Sequence, residues 1–204
     1  MKLYRLLGLV AIPMMFAGNA LADTPNGDSA SEKYDAGTFS ITPPRGWMLV
    51  SGNLSEKEVQ KLPENVREHY TLRNTDVIFM NLDAPDADTK GFKDSLNIVT
   101  INEPIPLSED LVNELKTVLT QQYEAMFENF EFESATQTTL NDIDVLQIKG
   151  GYKVLNYDVK MEQYLVPSSK ESVVLTCTYD ASKDKAAEIL KSCTDAVKSL
   201  VIAK

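Results

Sequence analysis

The chain is short of the residues that most often carry chemistry. It has one histidine, two cysteines and one tryptophan in 204 residues. A serine or cysteine nucleophile normally gives its proton to a histidine base. Here that base has to be His69, whose neighbours Arg67, Glu68 and Tyr70 read as the polar end of a helix. No G-x-S-x-G motif accompanies it. One histidine and two cysteines also fall short of a zinc site of nitrogen and sulfur ligands. Positive charge is scarce as well: 20 Lys and Arg stand against 30 Asp and Glu, a formal net charge of −10. Phosphate binding needs clusters of Lys and Arg, so nucleic acid is excluded as a partner and an anionic lipid surface is disfavoured. What the balance favours is a solvated acidic surface, with room for a basic partner or a cation.

Long apolar runs are absent too, apart from one short stretch from Leu6 to Phe16. A bilayer-spanning helix needs about 20 apolar residues, and this stretch is too short. It follows Lys2 and Arg5 and leads to Ala20-Leu21-Ala22, the small residues a signal peptidase requires. Residues 1–22 therefore read as a secretory signal peptide. The mature chain is expected to start near Asp23 and to be periplasmic or secreted, soluble, and without stable membrane insertion. No cysteine stands at the cut, so a lipid anchor is not expected. Removing Lys2 and Arg5 takes the formal charge from −10 to −12.

Residues 23–36 are polar and rich in small side chains, and read as a disordered leader. Residues 37–204 are enough for one domain with a sizeable core. Within them, Thr38–Ile41 and Trp47–Val50 read as short strands around the turn Pro43-Pro44-Arg45-Gly46. Ser55 and Glu58 form a capping box for a helix running towards His69. Val77–Leu82 and Ser95–Asn102 are β-prone. Ser108, followed by Glu109 and Asp110, caps an amphipathic helix with Leu111, Leu115, Val118, Gln122 and Met126 on one stripe. Four extended segments follow. They are marked by Phe130 and Phe132, by Ile143–Lys149, by Tyr152–Val166 and by Val173–Tyr179, with Gly150-Gly151 permitting a turn or bulge. A last helix spans about Lys183 to Val201. Short turns between successive strands demand antiparallel pairing, so the fold class is α+β: an antiparallel sheet with helices packed on its faces.

The two cysteines have a use in this arrangement. Val173, Leu175 and Cys177 share one face of a predicted strand, while Cys193 shares a helical stripe with Ala186, Leu190, Val197 and Leu200. Both sulfurs then point into one core, as a disulfide or as two buried free thiols. Export permits the bridge.

The segment from Thr38 to Trp47, an F-x-I strand running through a Pro-rich turn to a tryptophan, resembles the opening of the PsbP/Mog-like fold superfamily. The close of the chain is similar too: a strand ending Leu175-Thr176-Cys177-Thr178-Tyr179 leads into a helix ending Lys198-Ser199-Leu200-Val201-Ile202. The resemblance extends over about residues 38–202 and points to the bacterial exported, DcrB-like branch. It implies an α/β/α sandwich and a non-enzymatic protein that binds or helps assemble another envelope protein. It carries no active-site residues over. The DcrB-like proteins look like lipoproteins, and the cut site here departs from them.

Two other classes stay open: a small-molecule or cation carrier using a cleft between sheet and helix, and a divergent hydrolase. The weak cation candidate is Asp83, Asp86 and Asp88. Asp86-Ala87-Asp88-Thr89-Lys90-Gly91 begins like a calcium loop, but Lys90 stands where a ligand oxygen is needed and Asn97 replaces the final Glu. The acidic pairs Glu128, Glu131 and Glu133, and Asp142 with Asp144, alternate with apolar residues as the wet face of a strand does. Trp47 reads as a core or turn anchor. Tyr152 and Tyr157, read as one strand, would face opposite ways. No cofactor is expected.

Overall fold

A computed structural model of the chain describes residues 33–51, 77–81, 92–125, 127–154 and 156–203. The predicted helix from Ser55 and the acidic loop from Asp83 lie outside the described residues. Ten strands and two helices are present among those described. In chain order they are β1 (Tyr34–Asp35), β2 (Phe39–Ile41), β3 (Met48–Ser51), β4 (Val77–Met80), β5 (Ser95–Ile101), α1 (Glu109–Glu124), β6 (Glu128–Leu140), β7 (Ile143–Val154), β8 (Tyr157–Pro167), β9 (Ser172–Asp180), α2 (Ala186–Lys198) and β10 (Val201–Ile202). Seven strands form one sheet in the order β3-β4-β5-β9-β8-β7-β6, and β1-β2-β10 form a second, small one. Every pairing is antiparallel.

The large sheet is covered on both faces, and the alternation of its central strand shows how. In β9, Val173, Leu175, Cys177 and Tyr179 join one core with Ile189, Cys193, Ala196 and Val197 of α2 and with Phe39 and Ile41 of β2. Val174 points the other way, into a core with Leu111, Leu115, Val118, Leu119 and Tyr123 of α1. All nine residues of β9 are buried. This is the expected α/β/α layering, with the small sheet sharing the α2 side. The start of α1 is as the sequence indicates: the Ser108 hydroxyl accepts a hydrogen bond from the Leu111 N–H at 3.1 Å, and Glu109 and Asp110 occupy the first turn.

Two readings of the sequence are corrected and a third is decided. Tyr34 and Asp35, placed in the disordered leader, pair with Ile41 and Ser40. The Tyr34 ring meets Phe79 edge-on, with centroids 5.7 Å apart, and that aromatic contact anchors the segment. Of the turn or bulge that Gly150-Gly151 permits, the turn is not made: both glycines sit within β7, opposite the register slips that bulge β6. A Cβ on Gly150 would stand 2.9 Å from the Glu131 carbonyl oxygen and 3.3 Å from the Phe130 ring. Glycine is therefore required by the close approach of the bulged neighbour. Tyr152 and Tyr157 belong to different strands, and both pack on the α1 side.

Cys177 and Cys193 are joined, with Cα atoms 6.2 Å apart and 16 residues of separation. The bridge ties α2 to the most buried strand. Closing a loop of about 15 residues stabilises a fold by about 3 kcal/mol in the chain-entropy model. Urea unfolding with and without reductant should show a loss of that size, and Cys177→Ala combined with Cys193→Ala should match the reduced protein. A loss below about 1 kcal/mol would mean that packing alone holds α2 in place.

Candidate functional site

Most of the polar side chains buried among the described residues fall in three places. The first is on the α2 side of β7 and β8. Cross-strand pairing sets Lys149 opposite Glu162, and Gln147 opposite Tyr164. Glu162 is 6% exposed. Its Oε1 lies 2.9 Å from Lys149 Nζ, and its Oε2 accepts from Tyr164 Oη at 2.9 Å and from Gln147 Nε2 at 3.1 Å. Gln147 Nε2 also reaches Tyr164 Oη at 3.0 Å. Burial, and then the neighbouring Glu162 charge, push the Tyr164 hydroxyl up to about 12. Tyr179 is raised for the same reasons, burial first and then Glu162 and Glu133. Lys160 pairs with Glu133 at the margin of this group. At neutral pH the Tyr164 hydroxyl is a hydrogen-bond donor that holds the carboxylate in place.

The second place is where β4, β5 and the end of β9 meet. Asp94 is fully buried. Lys183 Nζ lies 3.2 Å from both of its carboxylate oxygens, and the Asp180 N–H donates to Oδ1 at 3.1 Å. Asn81 Nδ2 approaches Oδ2 at 3.5 Å. Asp180 in turn accepts from Ser182, from its N–H at 3.0 Å and its hydroxyl at 2.7 Å. The group fixes the loop that leads into α2.

The third is a polar row on the α1 side. Ser95 and Thr178 share a hydrogen bond of 2.8 Å across β5 and β9, and Gln163 Nε2 donates to Thr176 at 2.9 Å across β8 and β9. Asn97 stands opposite Thr176, and its buried Oδ1 accepts no hydrogen bond among the described residues. Beyond this row the α1 side becomes aromatic. Tyr123 stacks on Phe130 with centroids 4.7 Å apart, and Phe127 stacks on Tyr152 at 4.3 Å. Tyr152 is raised well above its ordinary value by burial, then by Tyr123.

Of the residues singled out in the sequence, Cys177 and Cys193 meet. Asp83, Asp86, Asp88 and His69 lie outside the described residues. Glu131, Glu133, Asp142 and Asp144 are exposed. Trp47 packs against the α2-side core. Among the described residues no group of three or more His, Cys, Asp or Glu is placed to hold a metal ion. Glu162, Asp94 and Lys183 escaped the sequence reading. For Glu162 a signal existed: Lys160, Glu162, Tyr164 and Val166 alternate on one face, and a carboxylate in a row ending in buried residues needs a partner.

Tyr164 gives this network a measurable signature. Its folded value is about 12, against about 10 in an unfolded chain. The folded state therefore keeps the proton in that window, and stability falls as pH rises from about 10 to about 12. Tyr164→Phe should make the decline shallower, without abolishing it, since Tyr152 and Tyr179 are shifted the same way. Urea midpoints between pH 8 and 11.5 provide the comparison; equal slopes in both proteins would remove Tyr164 from the account.

No protein-family model matches the chain, and no curated protein matches it by sequence. Solved structures do match in shape. The solution structure of cyanobacterial PsbP (CyanoP) from Synechocystis has a TM-score of 0.55 at 11% identity, over 90% of this chain and 99% of that one. A protein from Bacteroides thetaiotaomicron has a TM-score of 0.50 at 12% identity, over 86% of this chain and 50% of that one. LpqN of Mycobacterium tuberculosis, involved in cell envelope biogenesis, has a TM-score of 0.47 at 16% identity, over 85% and 90%. With a TM-score of 0.55 over 90% of this chain and 99% of that one, the first of these shows that the protein is built on the PsbP-like fold.

Proposed function

We propose that this is an exported, non-enzymatic protein that binds, or helps to assemble, another protein of the cell envelope. One observation carries the reading. Among the described residues three carboxylates are buried, and each is held within the fold: Glu162 and Asp94 by a lysine and further hydrogen bonds, Asp180 by Ser182. They serve as internal ties, which leaves the outer surface as the place of function. The disulfide supports an oxidising compartment. Among the described residues no helix is long and apolar enough to cross a membrane. Both fit a chain released after cleavage near Ala22, and the resemblance of its opening and closing segments to an exported branch of the PsbP/Mog-like proteins points the same way.

The test is crosslinking in the intact cell envelope followed by affinity purification and mass spectrometry. One reproducible protein partner is expected, recovered with a mature chain whose mass places its first residue near Asp23. Recovery of nothing above an untagged control would sink the binding reading, and an uncleaved N-terminus would sink the export route.

A further inference from the structure

β6 closes one side of the large sheet, and among the described residues β7 is its sole strand neighbour. At 13 residues it is long for an edge. Natural edges are blunted by charge, proline or bulges. The first half of β6 follows this rule: it bears Glu131 and Glu133, and its pairing slips twice, between Glu128 and Glu131 and between Phe132 and Ser134. The second half does not. From Ser134 to Leu140 the register is unbroken, no residue is charged and none is proline. Thr136, Gln137, Thr138 and Thr139 are exposed in succession, so both faces of the strand are open there.

The adjoining turn fixes which backbone groups point outward. Asn141 and Asp142 have φ of 49° and 64° and join the directly paired Leu140 and Ile143. That is a two-residue hairpin with left-handed φ at both positions, a type I′ turn. Its flanking residues exchange both N–H···O bonds, and inward bonding then recurs at every second residue. Ser134, Thr136, Thr138 and Leu140 therefore bond to β7. Ala135, Gln137 and Thr139 aim their N–H and C=O groups away from the sheet.

We propose that this half-strand is a docking edge, on which an extended segment of a partner protein adds as the next antiparallel strand. The inference rests on the binding reading above and specifies how the partner is held. Charge identifies the occupant. Residues 128–144 contain five acids and no Lys or Arg, with the acids flanking the uncharged run on both sides; of these, Glu133 is paired with Lys160 of β8. A second copy paired antiparallel through Gln137 would bring the Glu131–Glu133 end of one chain against the Asn141–Asp144 end of the other. A parallel pairing would set glutamate on glutamate. Both oppose like charges. The segment that fits has an uncharged, β-prone middle and Lys or Arg at its ends.

The probe is a fluorescein-labelled decapeptide, Lys-Lys-Thr-Val-Thr-Val-Thr-Val-Lys-Lys, titrated with the mature protein and followed by anisotropy. Saturable binding is expected. N-methylation of alternate peptide amides should weaken it at least tenfold, as should replacing the four lysines by glutamates. Gln137→Pro should have the same effect with an unchanged urea midpoint, because that nitrogen faces outward; Thr138→Pro, which breaks an inward bond, should lower the midpoint. Absence of saturable binding would overturn the proposal. So would equal binding of the N-methylated peptide, a readout that needs no variant to fold. The envelope crosslinking, repeated with Gln137→Pro, separates the two claims. A partner captured equally by both proteins ends the edge proposal and keeps the binding reading, whereas no partner with the wild type ends the binding reading itself.

Discussion

The whole arrangement depends on one strand that has no exposed side. β9 is buried from Ser172 to Asp180, and it is hydrogen-bonded to β5 along one flank and β8 along the other. A strand enclosed in this way needs cover above and below, because each uncovered apolar face forfeits roughly 25 cal/mol per Å². α1 supplies one cover, α2 with the small sheet supplies the other, and the disulfide fastens the second directly to the strand. The buried polar pairs follow from the same enclosure. Ser95 with Thr178 and Gln163 with Thr176 satisfy across strands the groups that no water reaches.

How much of this was legible in the sequence varied by element. α1 announced itself through Ser108, its acidic first turn and its apolar stripe, all local signals within one helix. The Cys177–Cys193 pairing was legible because strand and helix periodicity each point a sulfur to the core. β1 and β10 were not legible. Two residues make no period, and Tyr34 earns its place through Phe79, a contact made across 45 positions of chain. Gly150-Gly151 left a turn and a bulge both open because glycine serves tight turns and close backbone approach equally well, and only the bulge in β6 decides between them. Glu162 and Asp94 were missed because their lysine partners are remote in sequence or on another strand.

The second half of β6 was hidden for a different reason. Ser134 to Thr139 has no apolar alternation, since its side chains meet solvent on both faces. Pairing with β7 makes it a strand, and β7 is recognisable by its own buried residues Val145, Leu146 and Ile148. Core patterning therefore finds the strands that cover one another and overlooks the strand at the border. A border strand is also where a sheet is able to meet another molecule, so a weakly patterned segment is the kind that has backbone to offer.

β2 has a consequence of a mechanical kind. It lies between β1 and β10, with Tyr34 against Ile41 at one end and Ile202 against Phe39 at the other. The first and last strands among the described residues thus grip opposite ends of the same three-residue strand. A pull applied between the two ends of the domain loads both short ladders along their length, in shear, before any force reaches the seven-stranded sheet. The Thr42 N–H, held by the Ser199 hydroxyl at 2.8 Å, shares that load. The small sheet thus acts as a clasp, able to slip under tension while the layers beneath it stay closed.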